Sequence, residues 1–200
     1  MTKIPGHQIR FENTKKQILE AAMHLIQEKG AKNVSLREIA RKTNYSPAAI
    51  YLYFENKQQI INAVQIHIED IFTDLLILYP KGSTYTQILH NFGNAYFKFQ
   101  SEYPEYFFLL FSKLDKTYSL KSGDYPPSYR LIIDTIMNGI EEGEFTITDE
   151  FTLEEIVFIL WTQIHGIAII QQNILKKEAV KWSNLYERIF DDLINRYLKT

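Results

Sequence analysis

Residues 45–57 read YSPAAIYLYFENK, four aromatic rings and a single lysine in one short stretch. Ser46 followed by Pro47 marks a helix start, because the serine oxygen accepts an orphan N–H and proline at the first helical position forfeits no bond. Just upstream, Ser35 and Glu38 of VSLREIARKTN have the spacing of a capping box, and Leu36, Ile39 and Ala40 supply a buried face about two turns long. Asn44 stands between the two segments, where a tight turn needs a residue that tolerates positive φ. Two short capped helices joined by such a turn have the proportions of a helix-turn-helix.

Working outward, TKKQILEAAMHLIQEKG (14–30) predicts a first helix opened by a Thr14/Gln17 capping box. It is striped by Ile18, Ala22, Leu25 and Ile26 and ended by Gly30 in a left-handed conformation. In the third helix Ile50, Tyr51 and Phe54 form the expected apolar side. Asn56 caps a long fourth helix carrying Ile60, Ile61, Val64, Ile68, Ile71, Phe72 and Leu75, up to Pro80 and Gly82. Helical patterns continue over 84–101, from Pro104, over 128–142, from Thr152 to Asn173 and over 178–198, with no strand-like alternation. The turn formers gather in 115–128, read as a mobile loop. The expectation is an all-α chain of about nine helices. An N-terminal three-helix domain with the helix-turn-helix spans 1–55, and a larger C-terminal helical bundle spans 56–200.

Composition fits this division. The 200 residues are 46% hydrophobic and 23% charged, with eight glycines, six prolines and no cysteine, which excludes disulfides, thiol catalysis and cysteine-bound zinc. The formal charge of -2 is unevenly spread. Residues 1–60 hold 10 Lys/Arg against 5 Asp/Glu, and residues 61–200 hold 12 against 19. A basic head on an acidic body points to a polyanion meeting the head alone. Unbroken apolar runs such as Ile156 to Trp161 are far shorter than a membrane span, and the N-terminus has no signal-peptide pattern, so a cytoplasmic protein without membrane contact is expected.

The eighth helix is apolar around most of its circumference, and the ninth carries a stripe of Trp182, Leu185, Ile189, Leu193 and Tyr197. A homodimer that pairs these helices buries both; a single subunit that consumes the surface internally is the other reading. Ile167, Ile170, Ile174, Trp182, Leu185, Ile189 and Leu193 are the expected interface.

The run from Thr14 to Ile61, with its Ala-Ala pair, Gly30, the capped second helix and S-x-x-x-x-Y-x-x-F before Lys57, resembles the DNA-binding region of the TetR family of bacterial transcriptional regulators. Trp161, His165 and Gly166, with EYPEYFFLLF and IEEGEF before them, are similar to a subgroup named for a Trp-His-Gly signature. The resemblance implies a homodimer on a double-stranded DNA operator, with a small-molecule inducer held in the body. It implies, most often, a repressor released from a palindromic site. On that fold the DNA contacts are Ser35, Arg37, Asn44, Tyr45, Ser46, Ala48, Ala49, Tyr51, Tyr53 and Lys57. The alanines leave room for base edges, and the hydroxyls and Lys57 reach phosphate. Core filling is the competing reading for Tyr51 and Tyr53.

Phe92, Tyr96, Phe99, Tyr103, Phe107, Phe108, Phe111, Trp161 and His165 are the expected lining of an apolar inducer pocket, or else an aromatic core with no ligand. No catalytic residue, cofactor or metal is expected, since the five histidines are scattered and no H-x-x-x-H pair, glycine-rich phosphate loop or nucleophile elbow occurs. A helical ligand-binding protein or adaptor without an operator, or a helical enzyme, are the alternatives.

Overall fold

The computed structural model describes residues 6–79, 82–112, 124–147, 150–173 and 182–198; for 182–184 it describes the backbone only. Among these residues nine α-helices occur: α1 (Gly6–Lys29), α2 (Leu36–Thr43), α3 (Pro47–Ile50), α4 (Lys57–Leu78), α5 (Tyr85–Glu102), α6 (Pro104–Leu110), α7 (Pro127–Glu141), α8 (Leu153–Asn173) and α9 (Trp182–Tyr197). The all-α expectation holds. Ile174 and most of the 115–128 stretch lie outside the described residues.

Two local readings are corrected. α1 starts at Gly6, so Thr14 is an interior residue and no cap. The added turns carry Ile9 and Phe11, and Phe11 has a partner far along the chain, which a local cap signal does not register. Gly30 does have positive φ, at 77°, but with ψ 150°, a region essentially reserved to glycine and distinct from the left-handed helical one.

Packing divides the chain into two compact units, Met1–Ile71 with Glu102–Thr117, and Phe72–Ser101 with Tyr118–Thr200. The first is built on Ile18, Ala22, Ile26, Ile39, Ile50, Ile60, Val64 and Ile68, all fully buried. Its helix-turn-helix follows from local chemistry. The Ser35 oxygen accepts from Glu38 N–H while the Glu38 side chain accepts from Ser35 N–H, completing the capping box. Asn44 adopts φ 59°, ψ 27°, and Ser46 accepts from Ala49 N–H. Asn56 accepts from Gln59 N–H at 2.9 Å to open α4. α6 belongs to this unit: Tyr106 donates to Met23 O at 3.1 Å, and Gln65, itself buried, donates to Leu109 O at 2.9 Å.

The second unit joins α5, α7, α8 and α9. Gly93 lets α9 approach α5, since a Cβ there would overlap the Tyr186 hydroxyl that donates to His90 O at 2.9 Å. Gly139 does the same for Phe145, buried under α7 next to Tyr85. Gly143, at φ 79°, then turns the chain so that Glu144 accepts from Tyr85 N–H, Thr86 N–H and the Thr86 hydroxyl at 2.7–2.8 Å. Burial pushes that carboxyl up, and the Thr86 and Tyr85 donors more than offset it, leaving it below the usual carboxylate range. The IEEGEF motif is thus a structural lock, a role its glycine spacing alone does not reveal.

Candidate nucleic-acid interface

The turn between α2 and α3 fixes what faces outward. With Asn44 left-handed, Tyr45 N–H donates to Ala40 O at 2.9 Å, and the chain re-enters a helix at once. α3 is a single turn closed by tighter bonds from Leu52 to Ala49 and from Tyr53 to Ile50. Ile50 and Phe54 enter the core, while Ser46, Ala48, Tyr51 and Leu52 stay exposed and Ala49 is half-buried. Tyr51 is 54% exposed, which corrects its assignment to the apolar side: the tightened turn rotates it away from Ile50 and Phe54. Tyr53 is the ring that packs, against Phe11 with centroids 4.7 Å apart. Leu52, 73% exposed, belongs to this outward face and was not among the expected contacts; an exposed leucine on a helix of one turn leaves no periodic signal.

The flanking groups have internal duties as well. Ser35 is exposed, but its hydroxyl donates to Glu38 at 2.8 Å within the capping box. Lys29 pairs with the same carboxylate, and its hydrogen bond, followed by those of Ser35, pulls Glu38 down to about 2. Tyr45 donates to Gln17 at 3.2 Å, tying α1 to the turn. Lys57 is half-buried with its ammonium 3.4 Å from Lys32 O, so it is held at the start of α4. Arg37, Arg41 and Lys42 stand exposed on α2. The result is a small outward face, poor in acids, of methyl, phenol and leucine groups between basic side chains. That chemistry suits a duplex: bulk and methyl contact toward bases, donors and positive charge toward phosphate.

The family pattern described as "Bacterial regulatory proteins, tetR family" matches residues 18–64, which contain this whole arrangement. Over this segment the chain is similar to that family. The uncharacterized HTH-type transcriptional regulator YvkB of Bacillus subtilis (strain 168) is 35% identical over 77 residues, 38% of this chain and 40% of that relative. The chain thus spans well under half the length of this curated relative. Among solved structures, a TetR-family transcriptional regulator from Streptomyces coelicolor superposes with a TM-score of 0.66 at 18% identity, covering 91% of this chain and 79% of that one. The transcriptional regulator FadR from Bacillus subtilis, in complex with stearoyl-CoA, superposes with a TM-score of 0.67 at 16% identity, covering 90% and 97%. The TetR likeness in fold therefore extends well beyond the matched segment.

The aromatic residues expected around an inducer divide between the two units. Tyr96, Phe99, Trp161 and His165 lie in the second unit, where Phe72 joins them at 5.7 Å from Tyr96 and 5.0 Å from Phe99; Phe92 is half-buried there. Tyr103, Phe107, Phe108 and Phe111 lie in the first, with Phe107 fully buried and Phe108 38% exposed. Tyr96 OH and His165 Nδ1 are 2.6 Å apart. Burial pushes the phenol up and the imidazole down, so the pair is neutral at pH 7 and acts by hydrogen bonding. Among the described residues no group of three or more His, Asp or Glu is placed to hold a metal ion.

Of the expected interface residues, Ile167, Leu185, Ile189 and Leu193 are half-buried and Ile170 is exposed. The inward stripe of α9 is Tyr186, Phe190, Ile194 and Leu198, one position on from the stripe expected to pair with a second copy. Averaged over 18 residues α8 reaches a mean hydropathy of 1.5, so by length and composition it is apolar enough to cross a membrane although its unbroken runs are short. It buries Ile156, Val157, Leu160, Ile164 and Ala168 within the second unit and accepts at Ala168 O from Gln100.

Proposed function

We propose that this chain is a ligand-responsive transcriptional regulator of the cytoplasm. It acts as a homodimeric repressor that leaves a palindromic DNA operator when a small, largely apolar inducer binds. The observation that carries the reading is the outward face of α3, set by left-handed Asn44 and the Ser46 cap and flanked by Arg37 and Lys57. Residues 1–55 read DNA in this account, and residues 56–200 bind the inducer and dimerise. Tyr96 and His165 are the polar pair that orients an apolar ligand, in keeping with the usual make-up of such sites. The structurally similar FadR from Bacillus subtilis is in complex with stearoyl-CoA, whose acyl chain alone has the apolar character proposed here. Half-covered Leu185, Ile189 and Leu193 on α9, with Ile167 and Ile170 on α8, support pairing of these helices with a second copy. Release follows only if the inducer binds the DNA-free arrangement more tightly than the DNA-bound one.

Selection of duplexes from a random pool tests the reading. The expected result is an inverted repeat bound by two copies. Lys57→Ala should lower the slope of log affinity against log salt by about one for each phosphate that is no longer neutralised. Failure to enrich any duplex would leave a helical binding protein or adaptor without an operator.

A further inference from the structure

The first two turns of α1 place His7, Arg10, Phe11 and Thr14 on one helical face at three- and four-residue steps. With Gln8 and Tyr53 they line a shallow cleft of about 420 Å³. Phe11 is the hinge of this arrangement, its ring against that of Tyr53 at an interplanar angle of 33°. The cations farther along are already engaged: Lys15 lies over the Phe54 ring at 5.6 Å, and Lys16 pairs with Glu20 at 3.8 Å. Among the described residues Arg10 has no ion-pair or hydrogen-bond partner, and its side chain is exposed. Glu12, two positions on, points to another side of the helix, and the first turn of α1 contains no acid.

We propose that this cleft is a second DNA-backbone site, in which Arg10 and His7, with the hydroxyls of Thr14 and Tyr53, hold a phosphate flanking the bases read by α3. The proposal rests on the regulator reading above. Tyr53 is the link between the two surfaces: it follows α3 directly in the chain, and its ring is fixed by α1. A phosphate fits the donor set, which offers one permanent cation, one imidazole and two hydroxyls, with no carboxylate on the lining. Such a contact adds affinity and register without reading sequence, so it extends the protected duplex outward from each half-site.

The test uses the full chain and a duplex it has enriched from a random pool, in two lengths: one with long flanks, and one trimmed at both ends to the inverted repeat. Arg10→Ala should reduce the salt slope on the long duplex by about one for each flanking phosphate released, leave the slope on the trimmed duplex unchanged, and remove hydroxyl-radical protection of the outer phosphates. Arg10→Lys should keep the slope, since charge is what the site uses. Arg10→Ala should keep the wild-type urea midpoint, because Arg10 is exposed and without an internal partner. An Arg10→Ala slope equal to wild type on the long duplex overturns the cleft and leaves the regulator reading standing. A wild-type chain that enriches no duplex overturns that reading and the cleft with it.

Discussion

Lys29, the last residue of α1, holds the carboxylate of Glu38, the third residue of α2, in a part-buried ion pair that Ser35 completes from the other side. One acid therefore closes the capping box and fastens the helix-turn-helix to the helix before it. Its effect depends on charge. Glu38 falls from 4.5 to about 2 on folding, so its contribution is complete above pH 4.5 and is lost as pH drops toward 2. Glu38→Gln should lower the melting temperature by a few degrees at pH 7, and the gap to wild type should close as melts are repeated down to pH 2. A gap that is constant across that range would mean the pair contributes through packing alone.

The turn at Asn44 makes a second prediction. A β-branched residue at φ 59° is strained, so Asn44→Val should cost about 1–2 kcal/mol, whereas Asn44→Gly should be close to neutral. Urea unfolding of the two variants separates backbone strain from loss of the asparagine side chain. Equal losses would assign the cost to the side chain.

Gly139→Ala is expected to destabilise by about 1–3 kcal/mol, because the new methyl would overlap the ring of Phe145, which is 2% exposed and cannot retreat. On helix propensity alone the change should stabilise by about 1 kcal/mol. The sign of the shift in urea midpoint decides between them.

Ile189→Asp should give a folded monomer by sedimentation, since Ile189 is only half-covered while neighbouring Tyr186, Phe190 and Ile194 fill the core. A variant that sediments with the wild type would move the proposed dimer contact off α9.

Where the determining signal is local, sequence was a sufficient guide. The capping pair Ser35/Glu38, the positive φ of Asn44 and the Ser46–Pro47 start each depend on neighbours within a few residues, and each is present in the structure. What was misread depends on distant partners. α1 extends back to Gly6, where Phe11 meets Tyr53, forty-two positions away. Tyr51 faces outward because the single turn of α3 tightens after Ile50, which a regular helical wheel cannot represent.

Glu144 has a consequence for the making of the protein. Two of the first backbone amides of α5, those of Tyr85 and Thr86, find their acceptor 59 and 58 residues downstream. A ribosome makes α5 before it adds that glutamate. The amides of a nascent α5 must therefore stay bonded to water until α7 and its glycine turn have emerged. A pause in translation before residue 144 should leave the helix frayed at its start, whereas a pause just after the turn clears the exit tunnel should not.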